Sequence, residues 1–150
     1  MIWDIIKHFT LAENWGQASG MNGMLVLLMD AIRERWGEPV VIHCGIEIDG
    51  HAKDSQHKLG NAVDFHVQSS LPFPAQCSRL ESILKDLQVF NKVGLGIYPG
   101  WNNPGFHLDV RGAYARWGRI DTKKPGGKID RQYVGYGDAL EHAKRKPNTH

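Results

Sequence analysis

Two short segments in which apolar and polar residues alternate strictly place the strongest constraint on the fold of this chain. Their apolar positions are Val63, Phe65 and Val67 in the first segment and Phe106, Leu108 and Val110 in the second. Alternation with a period of two is typical of a half-buried strand, because successive side chains point to opposite faces of the sheet. The polar positions on the other face are Asp64 and His66 in the first segment and His107 and Asp109 in the second. These polar faces can meet if both strands belong to one sheet.

Histidines and carboxylates gathered on one face can bind a metal ion. His57 precedes Asp64 by seven residues, and Gly60 between them allows a turn that folds His57 over the same face. Two imidazoles and a carboxylate suit zinc, and three protein ligands with an open fourth position are the pattern of catalytic zinc sites. The alternative for any one histidine is an ordinary core or surface residue. The sequence therefore predicts a zinc site with a catalytic pattern.

Three motifs in fixed order carry a family resemblance. Ser-x-His-x-x-Gly-x-Ala-x-Asp runs from Ser55 to Asp64, Gly-x-Gly-x-Tyr ends at Tyr98, and Phe-His-x-Asp-x-Arg runs from Phe106 to Arg111. This order resembles the M15 group of zinc peptidases, which comprises D-alanyl-D-alanine carboxypeptidases and related peptidoglycan endopeptidases, including phage endolysins. The resemblance covers most of the chain, roughly residues 9–117.

The resemblance implies zinc ligands at His57, Asp64 and His107. It also implies a peptidase that hydrolyses a peptide bond in peptidoglycan stem peptides through a metal-activated water, as either a carboxypeptidase or an endopeptidase. The predicted fold is α+β, with a small antiparallel sheet of about four strands and helices packed against it, as in D-alanyl-D-alanine peptidases and hedgehog domains. A single zinc peptidase-like domain is expected over residues 1–150.

The chain departs from the family pattern at two places. Family members usually carry an arginine that contacts substrate where this chain has Glu47. Related enzymes place a glutamate or histidine base two or three residues before the last ligand, where this chain has Pro104 and Gly105. Asp109 is the first candidate for the base, with the orientation of a ligand histidine as its alternative role. His66 is a weaker candidate for the base.

Four further residues are predicted to bind substrate: Ser55, Tyr98, Trp101 and Arg111. The two aromatic residues are expected to line a cleft beside the metal. Arg111 is expected to stabilise a carboxylate or an oxyanion, or else to form a surface ion pair. Gly94 and Gly96 leave one face of a strand bare, which would accommodate either a peptide substrate or close packing on a helix. His43 and His51 are expected either to contact substrate or to be plain loop or strand-end residues.

The departures support a second class of function, a non-catalytic, metal-stabilised domain that binds the cell wall or builds a virion. The net charge of +2 does not indicate nucleic-acid binding, and we expect a monomer whose partner is a peptidoglycan peptide. No segment approaches the ~18 apolar residues of a membrane helix, and the N-terminus does not resemble a secretory signal. We therefore expect cytoplasmic synthesis, with action on the wall after release or from a virion.

The remaining predictions concern local structure. Cys44 is expected to be a buried thiol, with a Cys44–Cys77 bridge as the alternative. Thr10 and Glu13 form a capping box that predicts a helix start. Helices are predicted over 22–36, 75–89 and 138–146, further strands over 40–42 and 93–97, and a loop over 121–128.

Overall fold

The computed structural model describes residues 2–46 and 55–146. These residues form three α-helices and six strands, together with four short 3-10 helices. The elements are β1 (Val40–Cys44), β2 (Ala62–Val67), β3 (Gly94–Tyr98), β4 (Gly105–Asp109), β5 (Ala115–Lys123), β6 (Ile129–Val134), α1 (Gly23–Trp36), α2 (Phe73–Asp86) and α3 (Tyr136–Arg145). The predicted α+β class is confirmed.

The strands form one open, mixed sheet in the order β1-β2-β4-β3-β5-β6. All neighbours are antiparallel except β3 and β5, which are parallel. The prediction of about four antiparallel strands describes only the part β1-β2-β4-β3 and is wrong for the whole sheet. The loop predicted over 121–128 is confirmed over 124–128 and wrong over 121–123, which end β5. Most side chains of the β5–β6 hairpin are exposed or only half-buried, so the alternation that marks a buried strand is missing there.

The core lies on one face of the sheet. The apolar positions of β2 and β4 are fully or nearly fully buried there, as the alternation predicted, and Leu95 and Ile97 of β3 join them. The helices contribute Leu25, Met29 and Trp36 from α1 and Leu80 and Leu84 from α2 to the same cluster. With one face covered in this way, the polar positions of β2 and β4 lie on the opposite face.

Local signals set the ends of α1. The Asn22 side chain accepts the backbone N–H of Met24 at 2.9 Å, and Gly37 ends the helix with a φ of 83°. The helix predicted over 22–36 is therefore confirmed within one residue.

The α2 and α3 helices begin two residues before their predicted starts. No helix in the described part of the chain is long and apolar enough to cross a membrane.

The helix start predicted at Thr10 is wrong, although its capping contacts form. The backbone N–H and the hydroxyl of Thr10 both donate to Glu13, at 2.5 and 3.0 Å. No helix follows, because Trp15 turns into the core with no exposed surface and Gly16 adopts a φ of 80°. The capping pair therefore stabilises an isolated turn.

Candidate metal centre

One residue from each of five neighbouring strands lies in a single row across the sheet. From β1 to β5 the row consists of Cys44, Asp64, His107, Gly96 and Trp117. Directly paired residues of antiparallel strands have Cβ atoms about 4.5–5.5 Å apart, so their side chains are within contact distance. The row therefore brings Asp64 and His107 together on the face opposite the core.

His57 reaches this row from the 3-10 turn Gln56–Leu59, which precedes β2. The hydroxyl oxygen of Ser55 accepts the backbone N–H of His57 at 3.2 Å and so caps the turn. Gly60 ends the turn with a φ of 73°, a conformation that glycine adopts without steric cost. A Cβ at this position would lie 2.1 Å from the carbonyl oxygen of Gly20. The turn folds His57 back over the strand, as its spacing from Asp64 predicted.

The side chains of His57, Asp64 and His107 converge in a nearly equilateral triangle. Oδ1 of Asp64 lies 3.2 Å from Nε2 of His57 and 3.1 Å from Nδ1 of His107. The two ring nitrogens are 3.2 Å apart. Both histidines are buried, whereas the Asp64 side chain is 18% exposed and forms the accessible corner of the triangle.

The outer nitrogen of each ring has a partner that can only accept a hydrogen bond. Nδ1 of His57 donates to the carbonyl oxygen of Gly45 at 2.8 Å, and Nε2 of His107 donates to Oδ2 of Asp109 at 2.8 Å. In the neutral rings, the nitrogens that face Asp64 are therefore acceptors. Three acceptors within 3.2 Å of one another repel unless added protons or a cation lie between them.

These side chains fit zinc. Bonds of about 2.0–2.2 Å to nitrogen and oxygen at tetrahedral angles separate two ligand atoms by about 3.3–3.4 Å, close to the distances found here. Histidines that bind a metal almost always donate their other ring N–H to a carbonyl or carboxylate, and Gly45 and Asp109 are such partners. The fit rests on the donor set and on its hydrogen bonds together.

The local charges keep Asp64 ionised. Burial raises the pKa of Asp64, but hydrogen bonds and attraction from His107 and His57 outweigh burial and hold it well below its usual range. At His107, burial lowers the pKa, whereas hydrogen bonds to Asp109 and Asp64 raise it more, so the net direction is upward. The centre is thus a strongly interacting group of charges that favours a cation.

The two nitrogens of the His107 ring face different carboxylates. Nδ1 faces Asp64, and Nε2 contacts Asp109. Arg111 donates one hydrogen bond to each Asp109 oxygen, both at 2.7 Å, so the predicted ion pair of Arg111 is internal to the site. Burial raises the pKa of Asp109, but Arg111 and His107 outweigh burial and hold it well below its usual range. Of the two roles predicted for Asp109, this geometry favours orientation of His107 over proton transfer.

The bare face of β3 makes room for the groups that support His107. A Cβ on Gly94 would lie 2.5 Å from the Asp109 carboxylate, and a Cβ on Gly96 would lie 2.5 Å from the indole nitrogen of Trp117. The Trp117 and His107 rings have centroids 5.0 Å apart. Neither use predicted for the glycine face is found, because atoms of β4 and β5 fill the space instead of a peptide or a helix.

Tyr98 and Trp101 lie beside the centre, with their rings stacked at 4.5 Å and an interplanar angle of 11°. The hydroxyl oxygen of Tyr98 accepts the indole N–H of Trp117 at 3.0 Å, and Tyr98 itself is buried. Trp101 also borders a cavity of about 630 Å³, whose other lining residues include His66, Ser69, Phe73, Asn102 and Asn103. This volume is within the range of sites for small organic ligands.

His43 and His66 form a pair on the same face. Nε2 of His43 contacts Nδ1 of His66 directly, and the His43 ring lies 5.3 Å from that of Trp101. Burial lowers the pKa of both histidines, although Asp64 opposes this effect at His43. The pair borders the cavity through His66.

Cys44 is the site residue that the sequence did not indicate. Cys44, His57 and Asp64 each offer a ligand atom within 4.8 Å of the other two, so this group can also hold a metal ion. The expectation of a buried Cys44 thiol is wrong, because Cys44 is only half-buried and lies on the polar face. The structure describes both cysteines, and they form no disulfide. The reason is a bulge in β1, where Ile42 pairs with Phe65 but Cys44 pairs with Asp64. This extra residue reverses the alternation that would have placed Cys44 beside the core.

The structure thus brings His57, Asp64 and His107 together, with Asp109 and Arg111 behind them and with Tyr98 and Trp101 to one side. Ser55 caps the turn that carries His57. Glu47 and His51 lie outside the described residues. Trp117 supports His107 without any sequence signal, because only the parallel pairing of β5 with β3 brings it there.

No family model matches the sequence, no curated protein matches it, and no solved structure matches the fold.

Proposed function

We propose that this protein is a zinc-dependent peptidase that hydrolyses a peptide bond in peptidoglycan stem peptides. The observation that carries the proposal is the convergence of His57, Asp64 and His107, whose ligand atoms lie 3.1–3.2 Å apart on the sheet face opposite the apolar core. The substrate class comes from the motif resemblance to M15 peptidases. Release from a host cell or carriage in a virion would bring the protein to the wall.

The residues of the site have distinct roles in this proposal. His57, Asp64 and His107 would hold the metal, which when bound supplies a Lewis acid and a water molecule of lowered pKa. Gly45 and Asp109 fix the two rings so that the correct nitrogens face the metal. Arg111 keeps Asp109 ionised and in place. These contacts would hold the ligands before any substrate arrives.

The cavity beside Trp101 is the proposed place for the peptide. The cavity is lined by His66 and Trp101 but not by His57, Asp64 or His107, and the amides of Asn102 and Asn103 offer hydrogen bonds to a peptide backbone. Trp101, which stacks on the buried Tyr98, gives the peptide an apolar wall. Such a mixed lining suits a short peptide better than a purely apolar ligand.

The test is digestion of purified peptidoglycan by the zinc-loaded protein, with the soluble products identified by mass spectrometry. We expect stem-peptide fragments that are absent with His57→Ala and present with His8→Ala, because His8 pairs with Glu34 of α1 and is not a residue of the centre. Loss of one terminal alanine would identify a carboxypeptidase, and cleavage within the stem an endopeptidase. Intact wall fragments after incubation with protein shown to hold zinc would contradict the peptidase proposal.

A second candidate function is a metal-stabilised domain that binds the wall without cutting it. What supports it is the surroundings of His107: Pro104 and Gly105 offer no side chain that can accept a proton, and Asp109 is engaged by Arg111. In that case, zinc-loaded protein would sediment with peptidoglycan and release no fragments. A failure to sediment, with or without zinc, would remove this candidate.

A further inference from the structure

We propose that Cys44 is a fourth protein ligand of the metal held by His57, Asp64 and His107, and that its sulfur closes the open position of the centre. This inference rests on the metal centre of the proposed function, but it does not depend on peptidase activity.

The bulge in β1 is what gives Cys44 access to the centre. Pairing shifts by one residue between Ile42 and Cys44, so that His43 is the extra residue and Cys44 lies directly opposite Asp64. Directly opposed side chains of antiparallel strands have Cβ atoms about 4.5–5.5 Å apart. A bulge is a common device for re-aiming a side chain beside a functional site. The thiol is therefore held next to the accessible corner of the ligand triangle.

The distances place the sulfur within reach of the metal. Sγ of Cys44 lies 3.9 Å from Nδ1 of His57, and the ligand atoms of Cys44, His57 and Asp64 are all within 4.8 Å of one another. In a tetrahedral zinc centre with a sulfur bond of about 2.3 Å, sulfur lies about 3.5–3.6 Å from the nitrogen and oxygen ligands. The ligand atoms that lie within 4.8 Å of one another are those of Cys44, His57 and Asp64, so the sulfur has to move toward His107 for all four residues to bind one ion.

With Cys44 bound, the set of metal ligands changes from the pattern of catalytic zinc sites to that of structural zinc sites. Two histidines, a carboxylate and a thiolate make four protein ligands, and closed four-ligand sites are the structural pattern of zinc. The thiol proton passes to solvent as the metal–sulfur bond forms. A bound thiolate leaves no position for water, so occupancy by Cys44 favours the metal-stabilised binding domain of the two functions proposed above, and peptidase activity would require the sulfur to leave the metal.

The chain provides its own control in the second cysteine. Cys77 lies in α2, where it is 1% exposed, and burial raises the pKa of its thiol to about 12. Because only the thiolate reacts with alkylating reagents, Cys77 remains unreactive near pH 8 whether or not metal is present. Alkylation of the native protein therefore reports on Cys44 alone.

The first experiment is a titration with Co²⁺, which replaces zinc and is visible by absorption. We expect a near-ultraviolet sulfur-to-cobalt charge-transfer band in the wild type and in Cys77→Ser. In Cys44→Ser the band should be lost, while the visible bands of cobalt held by the remaining ligands persist. Visible cobalt bands without a charge-transfer band in the wild type would overturn the inference and leave the three-ligand centre standing.

The second experiment needs no variant and therefore does not depend on how Cys44→Ser folds. We expect saturating zinc to slow iodoacetamide labelling of Cys44 at least ~10-fold, since a bound sulfur is not a free nucleophile. Equal labelling rates with and without zinc, in protein shown by dialysis to bind zinc, would overturn the role of Cys44 alone. An absence of zinc binding in dialysis would overturn this inference and the proposed peptidase together.

Discussion

At the scale of single residues, the role of Asp109 depends on its neighbours. An aspartate two residues after a ligand histidine can serve either as a base or as a support, and its position on the strand fits both. The hydrogen bonds decide, because Arg111 engages both carboxylate oxygens and His107 engages one of them. A carboxylate held in this way raises the basicity of the histidine and fixes which ring nitrogen faces the metal.

We predict that Asp109→Asn weakens zinc binding by about 10–100-fold, because the amide neither stabilises the His107 N–H as strongly nor pairs with Arg111. Competition with a chromophoric chelator would measure the change. Asp121→Asn is the matched control, since Arg119 donates to both Asp121 oxygens at 2.8 and 3.1 Å on β5, without contact to a ligand histidine. Equal loss of affinity in both variants, or none in Asp109→Asn, would contradict the orienting role.

At the scale of elements, β3 supports the centre because two of its residues are glycines, which have no side chain. Its core face carries Leu95 and Ile97, whereas Gly94 and Gly96 leave space on the other face for a carboxylate and an indole ring. Any side chain there would collide with the groups that hold His107. The strand is therefore fitted to its neighbours on both faces.

We predict that Gly96→Ala destabilises the fold by about 1–3 kcal/mol, because its Cβ would force the Trp117 ring away from the sheet. Zinc affinity should fall as well, since Trp117 contacts His107. Gly137→Ala in α3 is the control, because a Cβ there meets no atom within 4 Å and alanine favours a helix. Urea unfolding would compare the two variants, and equal stability would show that Trp117 yields without cost.

The sequence predicts those elements whose apolar residues follow a clear period. The strands β2, β3 and β4 and the helix α1 each have one apolar face or stripe, and their positions follow from it. The β5–β6 hairpin has mostly exposed or half-buried side chains, so its strands give no such signal. The parallel pairing of β5 with β3 depends on the path of the whole chain, and no local pattern reports it.

The residues of the candidate site likewise fall into those that the sequence predicts and those that it does not. His57, Asp64 and His107 can be predicted because strand alternation and one glycine turn bring them together. Cys44 cannot, because alternation from Ile42 assigns it to the core face and only a bulge turns it outward. The support from Trp117 depends on a cross-strand contact with a distant element, which the sequence does not reveal.

At the scale of the whole molecule, the centre connects three elements on the polar face of the sheet, opposite the apolar core. His57 belongs to the turn Gln56–Leu59, Asp64 to β2 and His107 to β4, and the turn has little apolar burial of its own. A metal ion held by all three would bind the native arrangement and not the unfolded chain. Its binding free energy would then add to the free energy of unfolding.

We predict that zinc at about 100 times its dissociation constant raises the unfolding midpoint by about 5–10 °C, which corresponds to about 2.7 kcal/mol for a chain of this size. Differential scanning fluorimetry with and without a chelator would measure the shift. His57→Ala should abolish the shift and His8→Ala should retain it. A shift of equal size in His57→Ala would locate the stabilising metal elsewhere in the protein.

Because of the bulge in β1, the residue that lies opposite Asp64 depends on the number of residues in the strand as well as on their types. Two side chains, His43 and Cys44, compete for one place opposite Asp64, and the register after Ile42 decides between them. Deleting His43 would restore a regular ladder with the thiol still opposite the carboxylate, whereas deleting Cys44 would put an imidazole in its place. A change of one codon in length could therefore exchange a soft ligand for a borderline one, with no substitution anywhere in the strand.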